Sequence, residues 1–188
     1  MTWSNPIPYR LIPTADGESF RNMGDDETGL PLPGHPGSFA HSRKMHTHQG
    51  VDLYVPEGTA IRCVEDGVIV AVHKFTGEHA DPPTPWWGNT WSVMVEGMTG
   101  VVCYGEVIPY RIQVGAPIER RAVIGHVTPV LLKDKGRPRS MLHLELYRHG
   151  TKEPADWQTE EETPDGLLDP TPHLLETAAF ITSSPELR

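Results

Sequence analysis

Between residues 51 and 148 the chain writes one short apolar run after another and places no helix pattern between them. The runs are VDLYV (51–55), AIRCV (60–64), GVIVAVHKF (67–75), TWSVMVEG (90–97), GVVCYGEVI (100–108), RAVIGHV (121–127) and SMLHLELYR (140–148). Each alternates or is rich in β-branched residues, and Gly, Pro or Asp bounds it, the pattern of strands on a pleated surface. Strands that succeed one another without crossover helices pair antiparallel. The sequence therefore predicts a mainly β fold, a single domain on an antiparallel sheet with long loops. Proline and glycine, 19 and 18 residues of 188, exceed their usual combined share of about 12% and act as punctuation. EDGV (65–68) and EGMTGV (96–101) read as hairpin turns. The one helix pattern, TPHLLETAAFI at 171–181, puts Thr171 at the N-cap and Pro172 at the first helical position.

The strands lie inside an expected domain at 39–181, interrupted by insertions at 76–89 and 149–168. Residues 1–38, with NPIPYRLIP and GLPLPGHPGSF, read as an irregular arm laid over it, and 182–188 as a tail. A net charge of −9 with no basic run argues against nucleic acid or an anionic membrane as partner. No apolar run is long enough to cross a bilayer, and the chain is expected to act as a monomer. The N-terminus MTWSNPIPYRLIPTADGES lacks the charged start, apolar stretch and cleavage site of a secretory signal. The expectation is a protein that stays in the cytoplasm until lysis or a dedicated delivery machine releases it. Cys63 and Cys103 sit in separate strand runs with no CxxC spacing, leaving either one disulfide or two buried free thiols.

Chemistry concentrates in MHTHQGVDLYVPEGTA (45–60), which crowds His46, His48 and Asp52 around Gly50. The stretch is either a polar loop ahead of a strand or half of a metal site. Four residues of straight strand span about 13 Å, too far for His48 and Asp52 to meet at one ion. Gly50 and Val51 disfavour a helix, so a shared ion requires a bend, and Gly50 is the residue that tolerates one. Two imidazoles and a carboxylate are the donors of a catalytic zinc, with a position left for water. SMLHLELYRHG offers a further histidine. In a strand Leu142, Leu144 and Leu146 make a core face, while Met141, His143 and Glu145 share the other. His143 is then either an exposed histidine on a half-solvated sheet or the missing ligand.

At this point HQGVDLYVPEGTAIRCVEDGVIVAV resembles the opening motif of the lysostaphin/LytM-type zinc metallopeptidases, which cut peptide cross-bridges of bacterial cell walls. VGAPIERRAVIGHV resembles the turn and strand before that family's last motif, MLHLELY resembles the motif itself, and LLDPTPHLL the exit segment. The likeness spans roughly residues 39–176. It implies an antiparallel sheet floored by a groove, one zinc held by His48, Asp52 and His143, and peptidoglycan peptides as partners. Two positions depart from the family's usual pattern. Its His-x-His reads Met141-Leu-His143 here, and its Tyr-x-His reads Tyr104-Gly-Glu106. Both non-ligand histidines are replaced while every ligand is kept.

Zinc acidifies water and polarises a carbonyl, but a proton acceptor is still needed. The resemblance points to Glu106 as that general base, with Tyr104 adding a hydrogen bond, since Val102, Tyr104 and Glu106 would share one strand face. His46 either donates to the transition-state oxyanion or is solvated. Glu145 either orients a ligand from behind or is a surface carboxylate. HADPPTPWWGNTW sets Trp86, Trp87 and Trp91 in a stiff loop that plugs the core or lines a substrate groove. The expectation is one tryptophan buried and one in the groove, with Asn89 at the family's usual Gly-Asn position by the cleft. The function implied is zinc-dependent endopeptidase action on peptidoglycan cross-links. The alternative is a non-catalytic relative that binds wall peptides or regulates another hydrolase. A biotinyl- or lipoyl-type carrier module, echoed by DGVIVAV, lacks a lysine at a hairpin tip.

Overall fold

The computed structural model describes residues 3–15, 26–44, 46–134, 138–159 and 161–182. Residues 1–2 and 16–25 of the expected arm, and 183–188 of the expected tail, lie outside the described residues.

All seven strand runs form strands. In chain order the elements are β1 (Arg10–Thr14), β2 (Glu27–Pro31), β3 (Val51–Tyr54), β4 (Ala60–Arg62), β5 (Gly67–Thr76) and β6 (Thr90–Gly97). They continue with β7 (Val101–Pro109), β8 (Pro117–Ile118), β9 (Val123–Val127), β10 (Met141–Tyr147), β11 (Leu167–Leu168) and the helix α1 (Thr171–Thr182). The main sheet runs β11-β10-β7-β6-β5-β8, with β3 also on β10 and β9 joining β4 and β7. Every one of its pairings is antiparallel. The fold is mainly β, as expected.

Three local expectations change. The arm is not wholly irregular: β1 and β2 pair in parallel, Arg10 opposite Glu27, because Leu11 and Leu30 give each strand a buried side chain to share. EDGV is no hairpin turn, since β4 pairs with β9 and β5 with β6 and β8. EGMTGV does close the β6–β7 hairpin, with Gly97 N–H donating to Gly100 O at 2.8 Å. The helix starts one residue earlier than its sequence cap suggested, at Thr171 rather than Pro172. Asp169 Oδ1 accepts the Thr171 N–H at 2.8 Å and Leu174 N–H reaches Pro170 O, so Asp169 caps the first turn with its side chain and Pro170 supplies the first carbonyl.

The core lies on one face of the sheet. Val93, Val95, Val102, Tyr104, Leu142, Leu144 and Leu146 pack there with Leu11 and Leu30 of the arm and Leu174 of α1. The other face is covered too, which the alternation of β10 did not anticipate. Trp157, from the long segment after β10, packs with Ala71, Met94, Cys103 and Tyr147. Every residue of β10 is therefore buried, and the polar face of His143 and Glu145 is interior rather than half-solvated. Cys63 and Cys103 are buried free thiols, and among the described residues no helix is long and apolar enough to cross a membrane.

The segment 149–159 also straps the loop that precedes β3. Thr47 N–H donates to Trp157 O at 2.8 Å, Gln49 Nε2 to Ala155 O at 2.9 Å, and Thr159 Oγ1 to Arg43 O at 3.1 Å. Beneath that loop the chain bends at Gly50. The bend brings Gly50 so close to β10 that a Cβ there would sit 2.4 Å from Leu144 O and 3.0 Å from Glu145 Cγ. Close approach, rather than a left-handed backbone, is what requires glycine. Gly50→Ala should lower stability by about 1–3 kcal/mol, the usual cost of overpacking, and loosen any ion held by His48 and Asp52. Denaturant unfolding with and without zinc checks this; a variant as stable as the parent in both would contradict the packing.

Candidate metal centre

The register of β3 on β10 sets His143 directly opposite Asp52, and the bend at Gly50 folds His48 back over both. His48 Nε2, Asp52 Oδ1 and His143 Nδ1 meet in a buried cluster, all within 4.8 Å of one another. Asp52 Oδ1 is 3.0 Å from His48 Nε2 and 2.8 Å from His143 Nδ1, and the two nitrogens are 3.1 Å apart. Atoms bonded to one tetrahedral zinc at about 2.0–2.1 Å stand about 3.3 Å apart, close to this spacing.

The outer nitrogens fix what the inner ones can do. His48 Nδ1–H donates to Ser38 O at 2.8 Å, so its Nε2 presents a lone pair inward. His143 Nε2–H donates to Glu145 Oε1 at 2.9 Å, and Tyr147 Oη–H donates to Glu145 Oε2 at 2.9 Å while accepting the Ala155 N–H. Glu145 is thus a buried carboxylate hydrogen-bonded to His143, not a surface one. Burial raises its pKa, but the His143 bond and charge outweigh this and hold it below the usual carboxylate range.

Three lone-pair atoms so arranged need something positive between them. In the metal-free protein a proton serves. Burial lowers the His143 pKa, yet its bonds to Asp52 and Glu145 more than reverse this and lift it to about 10. That proton joins His143 to Asp52. His48 cannot supply another, because burial is the largest influence on its pKa and lowers it. The 3.0 Å contact between His48 Nε2 and Asp52 Oδ1 then sets two lone pairs face to face. The donor set fits a divalent cation, and zinc in particular by its two imidazoles and one carboxylate oxygen.

Glu106 reaches this cluster by an irregularity that strand alternation could not show. Trp91 pairs with Val107 but Val93 with Tyr104, so Gly105 and Glu106 together face Ser92 in a two-against-one bulge. Glu106 takes a left-handed backbone, φ 63°, at the point where β7 stops pairing with β10 and starts pairing with β9. Tyr104 and Glu106 consequently do not share a face. The Tyr104 hydroxyl points into the core, accepting the Val64 N–H at 2.9 Å and donating to Cys63 Sγ at 3.8 Å, so its expected help at the site is corrected. Glu106 turns the other way. Its Oε2 is buried with no hydrogen-bond partner, and burial first, then the Asp52 charge, pushes its pKa up to about 8, against lowering by His143 and Arg43. A cation beside it would draw that value down. Gly105 makes the room: a Cβ there would lie 2.8 Å from Phe75 Cε1 and 3.3 Å from His143 Cδ2.

The remaining candidates divide. His46 is half-buried within electrostatic reach of His143 and Asp52, and burial followed by Arg43 lowers its pKa, favouring neutral imidazole. Met141 is buried at the end of β10 opposite Tyr54. Trp86 is 64% exposed and meets the half-buried Trp87 edge-on at 6.3 Å, and Trp91 is half-buried too; none of the three is fully buried, contrary to the expectation of one buried in the core. The backbone of Trp87 bridges to Leu131 instead. Asn89 Oδ1 accepts the His79 N–H at 3.4 Å, an interaction within its own loop. Sequence reasoning missed Arg43, whose Nη2 donates to Asp52 Oδ2 at 2.9 Å, and Phe75, whose ring lies 5.7 Å from that of His143. Nothing in their spacing marked them. Tyr147 was legible, being the next residue on the face of His143 and Glu145.

Fold and site together define a mainly antiparallel β protein with a buried His–Asp–His cluster that could hold a metal ion. No family model matches the sequence, and no curated protein matches it. Solved structures do resemble it. The catalytic domain of the antimicrobial peptidase lysostaphin from Staphylococcus simulans is 17% identical at a TM-score of 0.47, covering 74% of this chain and 89% of that one. Lysostaphin in solution is 18% identical at 0.46, and the chain spans 70% of itself but only 44% of that protein. A zinc containing peptidase from Vibrio cholerae is 22% identical at 0.40, covering 63% of this chain and 31% of that one.

Ligation requires the His143 proton to leave, so zinc affinity should climb with pH, by about tenfold per unit while a single proton competes. At pH 7 zinc uptake should release at least one proton, measured by calorimetry in buffers of differing ionisation enthalpy. Uptake with no proton release would contradict the protonated, metal-free His143.

Proposed function

We propose that this chain is a zinc-dependent endopeptidase hydrolysing peptide cross-links of bacterial peptidoglycan. One observation carries the metal half of the reading: three buried ligand atoms converge while both outer ring nitrogens are committed as donors to Ser38 and Glu145. The substrate half rests on the motif resemblance between residues 39 and 176.

His48, Asp52 and His143 would hold the ion, with Glu145 and Ser38 fixing the two imidazoles. Zinc bound there supplies a Lewis acid that polarises a peptide carbonyl and lowers the pKa of a water. Every other task falls to the chain. Met141 carries no proton, so acid–base work goes to Glu106, whose unpartnered, buried Oε2 is free to act. As general base Glu106 accepts a proton from the attacking water; as general acid it returns that proton to the leaving amine. Its bulge and left-handed backbone part it from Tyr104, and its carboxyl lies within electrostatic reach of Asp52 and His143. The half-buried Phe75 and the solvent-facing Trp86 offer apolar surface for a peptide chain.

Glu106→Gln should keep zinc and fold yet lose activity on purified peptidoglycan by about 10²–10⁴-fold, the typical worth of general-base help. A variant that cleaves as fast as the parent would move the base elsewhere, with His46 next. Zinc-loaded parent that releases no peptide fragments by mass spectrometry would favour the wall-peptide binding module over the enzyme. Trp86→Ala should raise KM with zinc content unchanged; an unaltered KM would remove it from the substrate groove.

A further inference from the structure

Arg43 lies ahead of the first motif that carries the resemblance, and it is the only guanidinium or ammonium paired with a metal-ligand candidate among the described residues. We propose that Arg43 is a positioning residue that locks Asp52 as a one-oxygen ligand, an inference resting on the zinc reading above. The two oxygens of Asp52 are divided between different partners. Oδ1 faces His48 Nε2 and His143 Nδ1, at 3.0 and 2.8 Å. Oδ2 is turned away from both and accepts from Arg43 Nη2 at 2.9 Å. A carboxylate left alone can rotate or offer both oxygens to an ion; a charge-assisted hydrogen bond on one oxygen opposes either change.

Arg43 is itself held in place. Nη2 also donates to Pro36 O at 3.1 Å, its backbone N–H donates to His46 O at 2.9 Å, and its backbone carbonyl accepts from Thr159 Oγ1. The strap after β10 thus anchors the residue that aims Asp52. From the other side, Asp52 N–H donates to Gly37 O at 2.9 Å. Backbone and far oxygen are both fixed, leaving Oδ1 as the free acceptor of the centre. The arginine side chain is 33% exposed, so it lies between the buried ligands and solvent.

A charge argument alone gives the opposite expectation. Guanidinium beside a ligand carboxylate is a like charge to the incoming cation, and its removal should tighten zinc if charge were all that mattered. Positioning and charge therefore predict opposite signs. A lysine keeps the charge but not the fixed in-plane directions of the two Nη2 hydrogens that Asp52 and Pro36 accept, since its ammonium is a rotatable point charge on a flexible stem.

The test measures zinc dissociation constants by competition with a chromophoric chelator for parent, Arg43→Met and Arg43→Lys. Metal-free near-ultraviolet circular dichroism verifies that each has the parent fold. Arg43→Met should bind zinc about 10–100-fold more weakly, the range typical for partners that orient metal ligands, and Arg43→Lys should follow it rather than the parent. X-ray absorption of the zinc-loaded proteins should give one carboxylate oxygen in the parent shell and a longer or additional oxygen in Arg43→Met. Equal or tighter binding by Arg43→Met overturns the proposal, as does full recovery by Arg43→Lys. If Arg43→Met does not fold, the lysine variant and the parent oxygen count decide. A parent that binds no zinc ends both this inference and the reading beneath it. A parent that binds zinc and cuts no peptide ends only the endopeptidase.

Discussion

Three lone pairs pointed at one buried spot are the constraint on which the site depends. His48, Asp52 and His143 cannot all be satisfied by the single proton that the surroundings allow, because burial keeps His48 neutral while the carboxylates keep His143 charged. Polar groups out of water cost free energy unless each has a partner. A divalent cation would partner all three atoms at once. Asp52 shows the same tension: desolvation opposes its charge, and the imidazole surroundings hold its pKa well below the ordinary value all the same.

Strand β10 makes that arrangement possible. One face carries Leu142, Leu144 and Leu146 into the main core, so the strand is anchored before any ion arrives. The opposite face lines up His143, Glu145 and Tyr147, an unbroken chain of hydrogen bonds from the ligand to the Ala155 amide. Pairing with β3 sets Asp52, and pairing with β7 sets Gly105 against His143. The strap after the strand then covers the polar face and ties down the loop bearing Arg43, His46 and His48. A site with so rigid a backing can exchange a proton for an ion without refolding.

Period-two alternation and the turn residues made the strands legible, and they also set His143 and Glu145 on one face. Gly50 was legible as a bend, although its tight approach to Leu144 needed the third dimension. The face of Glu106 was not legible. A bulge adds one residue to one strand and reverses every inward–outward assignment beyond it, which is why Tyr104 and Glu106 part company. Nor could alternation foresee that Trp157 would bury the second face, or that Arg43 would meet Asp52, since both contacts join segments with no shared period. The hairpin expected at 65–68 failed for a related reason: turn residues mark a reversal, but long-range pairing with β9 decided where β4 went.

Anomalous diffraction at the zinc edge, on crystals of protein purified without chelator, reads directly whether the buried cluster holds the ion. A single strong peak is expected, bonded at about 2.0–2.1 Å to His48 Nε2, Asp52 Oδ1 and His143 Nδ1. An empty centre in crystals soaked with zinc, or a peak bonded elsewhere while these three atoms stay hydrogen-bonded among themselves, would contradict it.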